Sequence, residues 1–162
     1  MAFNVTENID FINSTEEHIE KIINILLQNN VYFSIIVKSS GVKMSPEITG
    51  AINNQSIYMR FDMIGYSFDT SVISNNILIF RAGFGSGKDI RESEVSMDLL
   101  NIIQIFIDKN PILINFADNY INIRKIIETE NALNEQNIEN NHKIDRAKLF
   151  KSKNRDLFGK KD

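Results

Sequence analysis

The chain contains no cysteine. That absence removes disulfide frameworks, thiolate-ligated zinc and thiol nucleophiles together, and it favours a reducing compartment, the cytoplasm. Two prolines and seven glycines in 162 residues are too few for a collagen-like or low-complexity chain. Only two histidines are present, His18 and His142, and neither has a second ligand at metal-binding spacing. No metal, no cofactor and no histidine-based catalysis are therefore expected. Carboxylates are scattered over helix faces and turns, and no pair stands out as general acid and base. No apolar run approaches the roughly 18 to 20 residues needed to cross a bilayer. The opening MAFNVTENIDFINSTEEH lacks the basic and apolar regions of a secretory signal. The expectation is a soluble cytoplasmic chain with no membrane partner.

One enzyme-like motif is present and fails on inspection. Residues 82–89, AGFGSGKD, resemble a phosphate-binding P-loop, G-x-x-x-x-G-K-[ST]. Ala82 replaces the first glycine and Asp89 replaces the magnesium-binding hydroxyl, so a carboxylate would repel the phosphates. The segment reads instead as a flexible glycine-rich connection, and the chain is not expected to be an enzyme.

Hydrophobic residues make up 43% of the sequence, enough for one core, and the net charge is -3. The charge is uneven. Residues 143–162 hold eight Lys/Arg and three Asp, leaving ten basic and eighteen acidic residues elsewhere. An acidic body argues against nucleic acid as the main ligand, because phosphate neutralisation supplies most of that affinity.

Ser14-Thr15-Glu16-Glu17 reads as a capping box with Ser14 as N-cap. Ile19, Ile22, Ile23, Leu26 and Leu27 follow at the spacing of one apolar helix face, and Asn29-Asn30 ends the helix. Residues 31–38 and 56–63 read as strands, 66–70 as a weaker one, and 77–84 (ILIFRAGF) as a fourth. Residues 39–46 carry loop chemistry, and turns are expected at 53–55 and 74–76. From Val95 the spacing of Leu99, Leu100, Ile103, Phe106 and Ile107 predicts a helix capped by Ser96 and stopped by Asn110-Pro111. A short strand over 112–116 and a helix after Asp118 follow. Beyond about Leu133 apolar residues thin out and Asn/Gln dominate, so 134–162 reads as a disordered tail. The fold class is α+β: a helix packed on a mostly antiparallel sheet, with 1–133 as the domain and 14–117 as its core.

Three collinear features resemble the stringent starvation protein B (SspB) family of ClpXP protease adaptors. A capped helix ends in Leu26-Leu27-Gln28-Asn29-Asn30 and runs through a strand into Gly41-Val42-Lys43-Met44-Ser45-Pro46, similar to the family's G-V-x-[hydrophobic]-x-P turn. Phe80-Arg81-Ala82-Gly83-Phe84-Gly85 resembles its F-x-A-x-F-G strand. Val95-Ser96-Met97-Asp98-Leu99-Leu100 resembles its V-S-V-P-L segment, there a helix start, before a closing strand. The match spans about residues 19–116. Asp98 departs from the usual proline, Gly83 stands where arginine is common, and 86–94 replaces a tight G-G-x-P turn with a longer polar stretch.

The resemblance implies a bent, barrel-like β-domain that binds ssrA-like degradation tags and presents them to the ClpX ATPase. It implies a homodimer paired through N-terminal helices, here Ile19, Ile22, Ile23 and Leu26. The implied peptide groove uses Phe80, Ala82, Phe84 and Gly85 on one wall and Val95, Ser96 and Met97 on the other. Small residues let an extended backbone approach, and aromatic rings make side-chain pockets. Leu157, Phe158 and Lys160 in the basic-apolar tail resemble the family's docking peptide for the protease. A secretion-type chaperone holding an extended client is the competing reading, since small acidic α+β dimers suit that task too. Loss of protease delivery on removing 155–162 separates the two.

Overall fold

The computed structural model describes residues 5–52 and 56–117, all within one compact unit. The expected helix after Asp118 and the tail of 134–162 lie outside the described residues.

Helix α1 spans Ile9–Gln28 and begins earlier than the Ser14 box predicts. Asn8 is the N-cap: its side-chain oxygen accepts the N–H groups of Asp10 and Phe11 at 3.0 and 3.1 Å. Asn is among the strongest N-cap residues, and Asp10 adds an acid to the first turn. Ser14 and Thr15 are carried inside the helix, and the Thr15 hydroxyl donates back to the Phe11 carbonyl at 2.8 Å. Fully buried Ile12 extends the core N-terminal to the expected boundary at residue 14. Asn30, in the left-handed region at φ 54°, ends α1, and the Val31 N–H closes on the Leu26 carbonyl.

Eight strands follow in two antiparallel sheets. Sheet A has the order β3 (Tyr58–Met63), β1 (Phe33–Lys38), β7 (Ile102–Ile107), β8 (Asn110–Ile114). Sheet B has the order β2 (Lys43–Ser45), β6 (Arg91–Asp98), β5 (Ile77–Phe84), β4 (Val72–Ser74). Two separate sheets, rather than the barrel-like closure expected, make this an α+β fold with one long helix. Among the described residues no helix is long and apolar enough to cross a membrane.

Alternation decides what enters the core. Leu78, Phe80 and Ala82 of β5 point inward with Ser93, Val95 and Met97 of β6, while Arg81, Gly83, Glu92 and Glu94 face out. Sheet A contributes Phe33, Ile35, Val37, Phe61, Met63, Ile102, Ile105 and Leu113. The Phe61 and Phe80 rings meet edge-on at 5.2 Å, joining the two sheets. Asn75 and Asn76, at φ 51° and 63°, form the two-residue turn that matches strand twist and sets the β4–β5 register. The same turn is tied to its surroundings. The Asn76 carbonyl accepts the Leu99 N–H at 2.9 Å, and its side-chain amide donates to Glu16 of α1 at 3.0 Å.

The expected helix from Ser96 is absent. Residues 96–98 finish β6, a 3-10 turn covers Leu99–Asn101, and β7 follows. Asp98 caps that turn by accepting the Leu100 N–H at 3.0 Å. A bulge explains the misleading period. Val37 pairs with Ile102 while Ile36 pairs with Gln104, so Ile103 is extra, and both Ile102 and Ile105 are buried. Three-residue spacing of buried positions is thereby produced by a strand. Pro111 lies inside β8, tolerated because β8 is an edge strand.

Three smaller corrections concern connections. Tyr66–Asp69 is one helical turn, α2, not a strand, because Phe68 turns inward against Tyr32 and Phe33, with ring centroids at 5.1 and 6.3 Å. The 39–46 loop contains a 3-10 turn and β2. Gly41 is required there, since a Cβ would collide with the Asn101 amide that donates to the Lys38 carbonyl at 2.8 Å. The polar stretch after Phe84 is short: β6 already starts at Arg91, and Gly87–Asp89 is a 3-10 turn.

On the outer face of sheet A, Asp62 accepts the Ser34 hydroxyl at 2.6 Å and Arg60 Nε at 2.8 Å. The Ser34 hydrogen bond first, and Arg60 next, hold its carboxyl below the ordinary value against an opposing effect of burial. A depressed folded-state pKa gives stability that is present above the unfolded value and lost as pH falls through the folded one. Asp62→Asn is therefore expected to be less stable than the parent near neutrality, by less than about 1 kcal/mol because the pair is half exposed. The gap should narrow as pH falls from the ordinary carboxylate value through the lowered folded-state one, read in urea titrations run across pH.

Candidate functional site

The interior of the sandwich opens to solvent at the end of the β5–β6 hairpin. Phe84 is the last residue of β5 and only half-buried. Its ring stands edge-on to Phe61 at 6.4 Å, continuing the row that starts at Phe80. Beyond it Gly85 takes φ 110°, and a Cβ there would lie 2.6 Å from the Asp89 carbonyl oxygen. The backbone therefore bends tightly, and Gly85 itself adds no side chain beside Phe84. The Asp89 N–H closes the turn on the Ser86 carbonyl at 3.2 Å.

A cleft of about 380 Å³ lies at this bend, lined by Ile48, Thr49, Gly50, Ala51, Phe84, Gly85, Asp89 and Arg91. One side is the hairpin end. The other is the Ile48–Ala51 turn, in which the Ala51 N–H reaches the Ile48 carbonyl at 3.1 Å and Gly50 supplies φ 80°. Phe84, Ile48 and Ala51 give the cleft apolar surface, and Arg91 and Asp89 give it a charged rim. Arg91 is exposed and forms no ion pair among the described residues.

A second cleft of about 350 Å³ is lined by Ser45, Pro46, Arg81, Glu92, Ser93 and Glu94. Here the Tyr66 hydroxyl donates to Glu92 at 2.5 Å, and Arg81 Nη1 reaches the same oxygen at 3.3 Å. Tyr66 first and Glu92 next favour the charged guanidinium, raising a pKa that already lies above any physiological pH. A third cleft of about 430 Å³ is lined by Ser39, Ser40, Val42, Ile52, Ser56 and Ile57. It is the largest of the three, but among the described residues its lining has no aromatic and no ionisable side chain. The two smaller clefts share the Arg91–Glu94 half of β6 and carry the chemistry.

Of the residues expected to form a groove, Phe84 and Gly85 line the first cleft. Phe80, Ala82, Val95 and Met97 do not: they are 1%, 7%, 0% and 2% exposed, sealed between the sheets. Ser96 is half-buried and pairs with Lys43 of β2. The expected second wall of Val95, Ser96 and Met97 is thus replaced by Ile48–Ala51. The reason is parity. Val95 and Met97 lie opposite Phe80 and Leu78 on the inward face, so neither can reach a surface groove. The expected dimer stripe is corrected likewise. Ile19 and Ile23 are 0% and Leu26 5% exposed, consumed by the chain's own core, and Ile22 is half-buried. Leu157, Phe158 and Lys160 lie outside the described residues.

The 82–89 segment is a strand end followed by a 3-10 turn and then a strand, with no helix to present amides to a phosphate. Among the described residues no three His, Cys, Asp or Glu side chains come together as a metal site. The site offers an apolar floor, glycine backbone and charged rims, which suits binding of an extended chain.

Gly85→Ala is expected to destabilise the protein by about 1–3 kcal/mol, through its positive φ and its contact with backbone. Gly50→Ala, with open space at its Cβ, should lose only about 1 kcal/mol. Urea unfolding of the two variants measures both. No protein-family model matches the chain, and no curated protein matches it.

Proposed function

We propose that this chain is a peptide-binding proteolysis adaptor of the SspB kind, which holds a degradation tag on a substrate and delivers it to ClpXP. The observation that carries this reading is the open cleft beside Phe84 and Gly85, at the end of a hairpin whose other inward residues are buried. A tag is short and unfolded, so its capture needs exposed backbone and a shallow apolar seat rather than a catalytic group. The adaptor breaks no bond. Holding a tag and touching the protease at once raises local concentration, which turns two weak contacts into one firm one.

Fluorescence anisotropy with a labelled ssrA-type peptide tests the reading. Binding is expected, and Phe84→Ala should weaken it about tenfold while leaving the far-ultraviolet circular dichroism unchanged. Deleting 155–162 should spare binding but abolish acceleration of tagged-substrate degradation by ClpXP. No binding at high micromolar protein would sink the proposal.

The homodimer that belongs to this reading needs a helix face other than Ile19, Ile23 and Leu26. Phe11, Thr15, His18, Ile22 and Ile25 repeat at alternating four- and three-residue steps on α1, about 100° around from the buried stripe. Ile25 is 57% exposed. Such a seam can pair with its own copy across a two-fold axis. Ile25→Asp should convert a dimer to a monomer in sedimentation velocity. A parent chain that is already monomeric would remove the dimer from the proposal.

A further inference from the structure

Sheet B has a gap in its edge, and its position follows from the ladder. In β5 the Arg81 N–H is bonded to the Thr70 hydroxyl at 2.9 Å, so it points away from β6. Backbone groups alternate sides along an antiparallel strand. Arg81 is opposite Glu94, and Ser45 of β2 is opposite Glu94 on the other side. The N–H and C=O of Glu94 are therefore directed at β2, and those of Glu92, two residues earlier, point the same way. At that level β2 has ended. The Pro46 carbonyl instead accepts the Ser93 hydroxyl at 2.7 Å, and Ser93 faces the interior at 1% exposure. The chain thus leaves the plane of the sheet on its inner side. Glu92 keeps a donor and an acceptor on an open edge, with no backbone partner there among the described residues.

Both clefts border this gap, one on each face. Arg81, Glu92 and Glu94 face outward around one. Phe84, Ile48 and Ala51 surround the other. Successive side chains of an extended strand point to opposite faces. A strand laid beside Glu92 would place one side chain in the outer cleft and its neighbour in the inner one. The free edge of β5 at Gly83 offers no such pair of seats, and α2 packs against that strand.

We infer that an extended peptide is bound by β-augmentation: it continues the line of β2 antiparallel to β6, exchanging both backbone hydrogen bonds with Glu92. This rests on the peptide-binding reading above and adds its geometry. The residue opposite Glu92 is polar or charged and faces Arg81, Glu92 and Glu94. The next residue is apolar and enters the Phe84 cleft.

The test is an N-methyl scan of a fluorescein-labelled ssrA-type peptide, read by anisotropy. Methylation of the one amide that bonds Glu92 should weaken binding about tenfold, while its two neighbours, whose amides point away, stay within about threefold. On the protein side, Glu92→Pro removes the donor without touching the β5–β6 ladder, and Glu92→Ala keeps it. The proline variant should bind about tenfold more weakly than the alanine one. A peptide that binds but tolerates methylation at every position overturns the β-augmentation and leaves the cleft reading standing. A peptide that does not bind at all overturns both. If the proline variant does not fold, the peptide scan alone decides.

Discussion

Phe61 of β3 meets the edge of Phe80 of β5 at 5.2 Å, and through that contact two four-stranded sheets close on one apolar interior. Every placement in the molecule follows from that closure. Because β5 and β6 send alternate residues inward, the segment Phe80 to Gly85, in which four of six positions are aromatic or glycine, is divided by function. Its buried half supports the fold. Arg81 and Gly83 face outward, and its last two residues, Phe84 and Gly85, line the cleft at the hairpin end. Edge-to-face aromatic pairs contribute about 0.5–1.5 kcal/mol each beyond their burial, so the Phe80–Phe61–Phe84 row ties the Phe84 side of the cleft to the core.

A second tie fixes sheet B against the helix. Glu16 is 6% exposed, a carboxylate inside the apolar stripe of α1, and it accepts the Asn76 amide at 3.0 Å. Asn76 belongs to the turn that sets the β4–β5 register, and its carbonyl holds Leu99 at the end of β6. One polar contact thus bears on helix position and on the register of two strands. A slip of one residue in β5 would exchange Phe80 for Arg81 in the core, so a polar contact is placed where register needs enforcing.

The legible parts of the sequence were those whose local chemistry and tertiary role agree. The strand expected over 77–84 is β5 residue for residue, since alternation and the Asn75-Asn76 turn signal the same thing. The apolar stripe of α1 was equally plain. Apart from the local choice of Asn8 over Ser14 as N-cap, the failures have one physical source, a long-range contact or pairing that local spacing cannot show. The bulge at Ile103 places buried residues three apart and imitates a helix. Phe68 draws Tyr66–Asp69 into a turn because Tyr32 and Phe33 are waiting for it. For the site, the glycine and aromatic pattern pointed to Phe84 and Gly85. Nothing in 48–51 except Gly50 signals that this turn lies across from a hairpin end, and the stripe that looked available for a partner helix was needed at home.

The edges of the two sheets complete the argument about where a ligand strand can add. An exposed strand edge invites unwanted pairing, and proteins blunt it with proline, charge or cover. Here β8 carries Pro111, β3 carries the Arg60–Asp62 pair, and β5 beyond β4 is met by Thr70 and the α2 turn. On β6 the neighbouring strand is cut short by Pro46, and what remains is a backbone pair with a side-chain seat on either face. Charge at Glu92 and Glu94 discourages a flat hydrophobic edge from docking there, whereas a peptide with one polar and one apolar residue in succession meets no such conflict. Selectivity of that kind needs no deep pocket. On the proposed reading it would come from a short open edge flanked by one seat on each face.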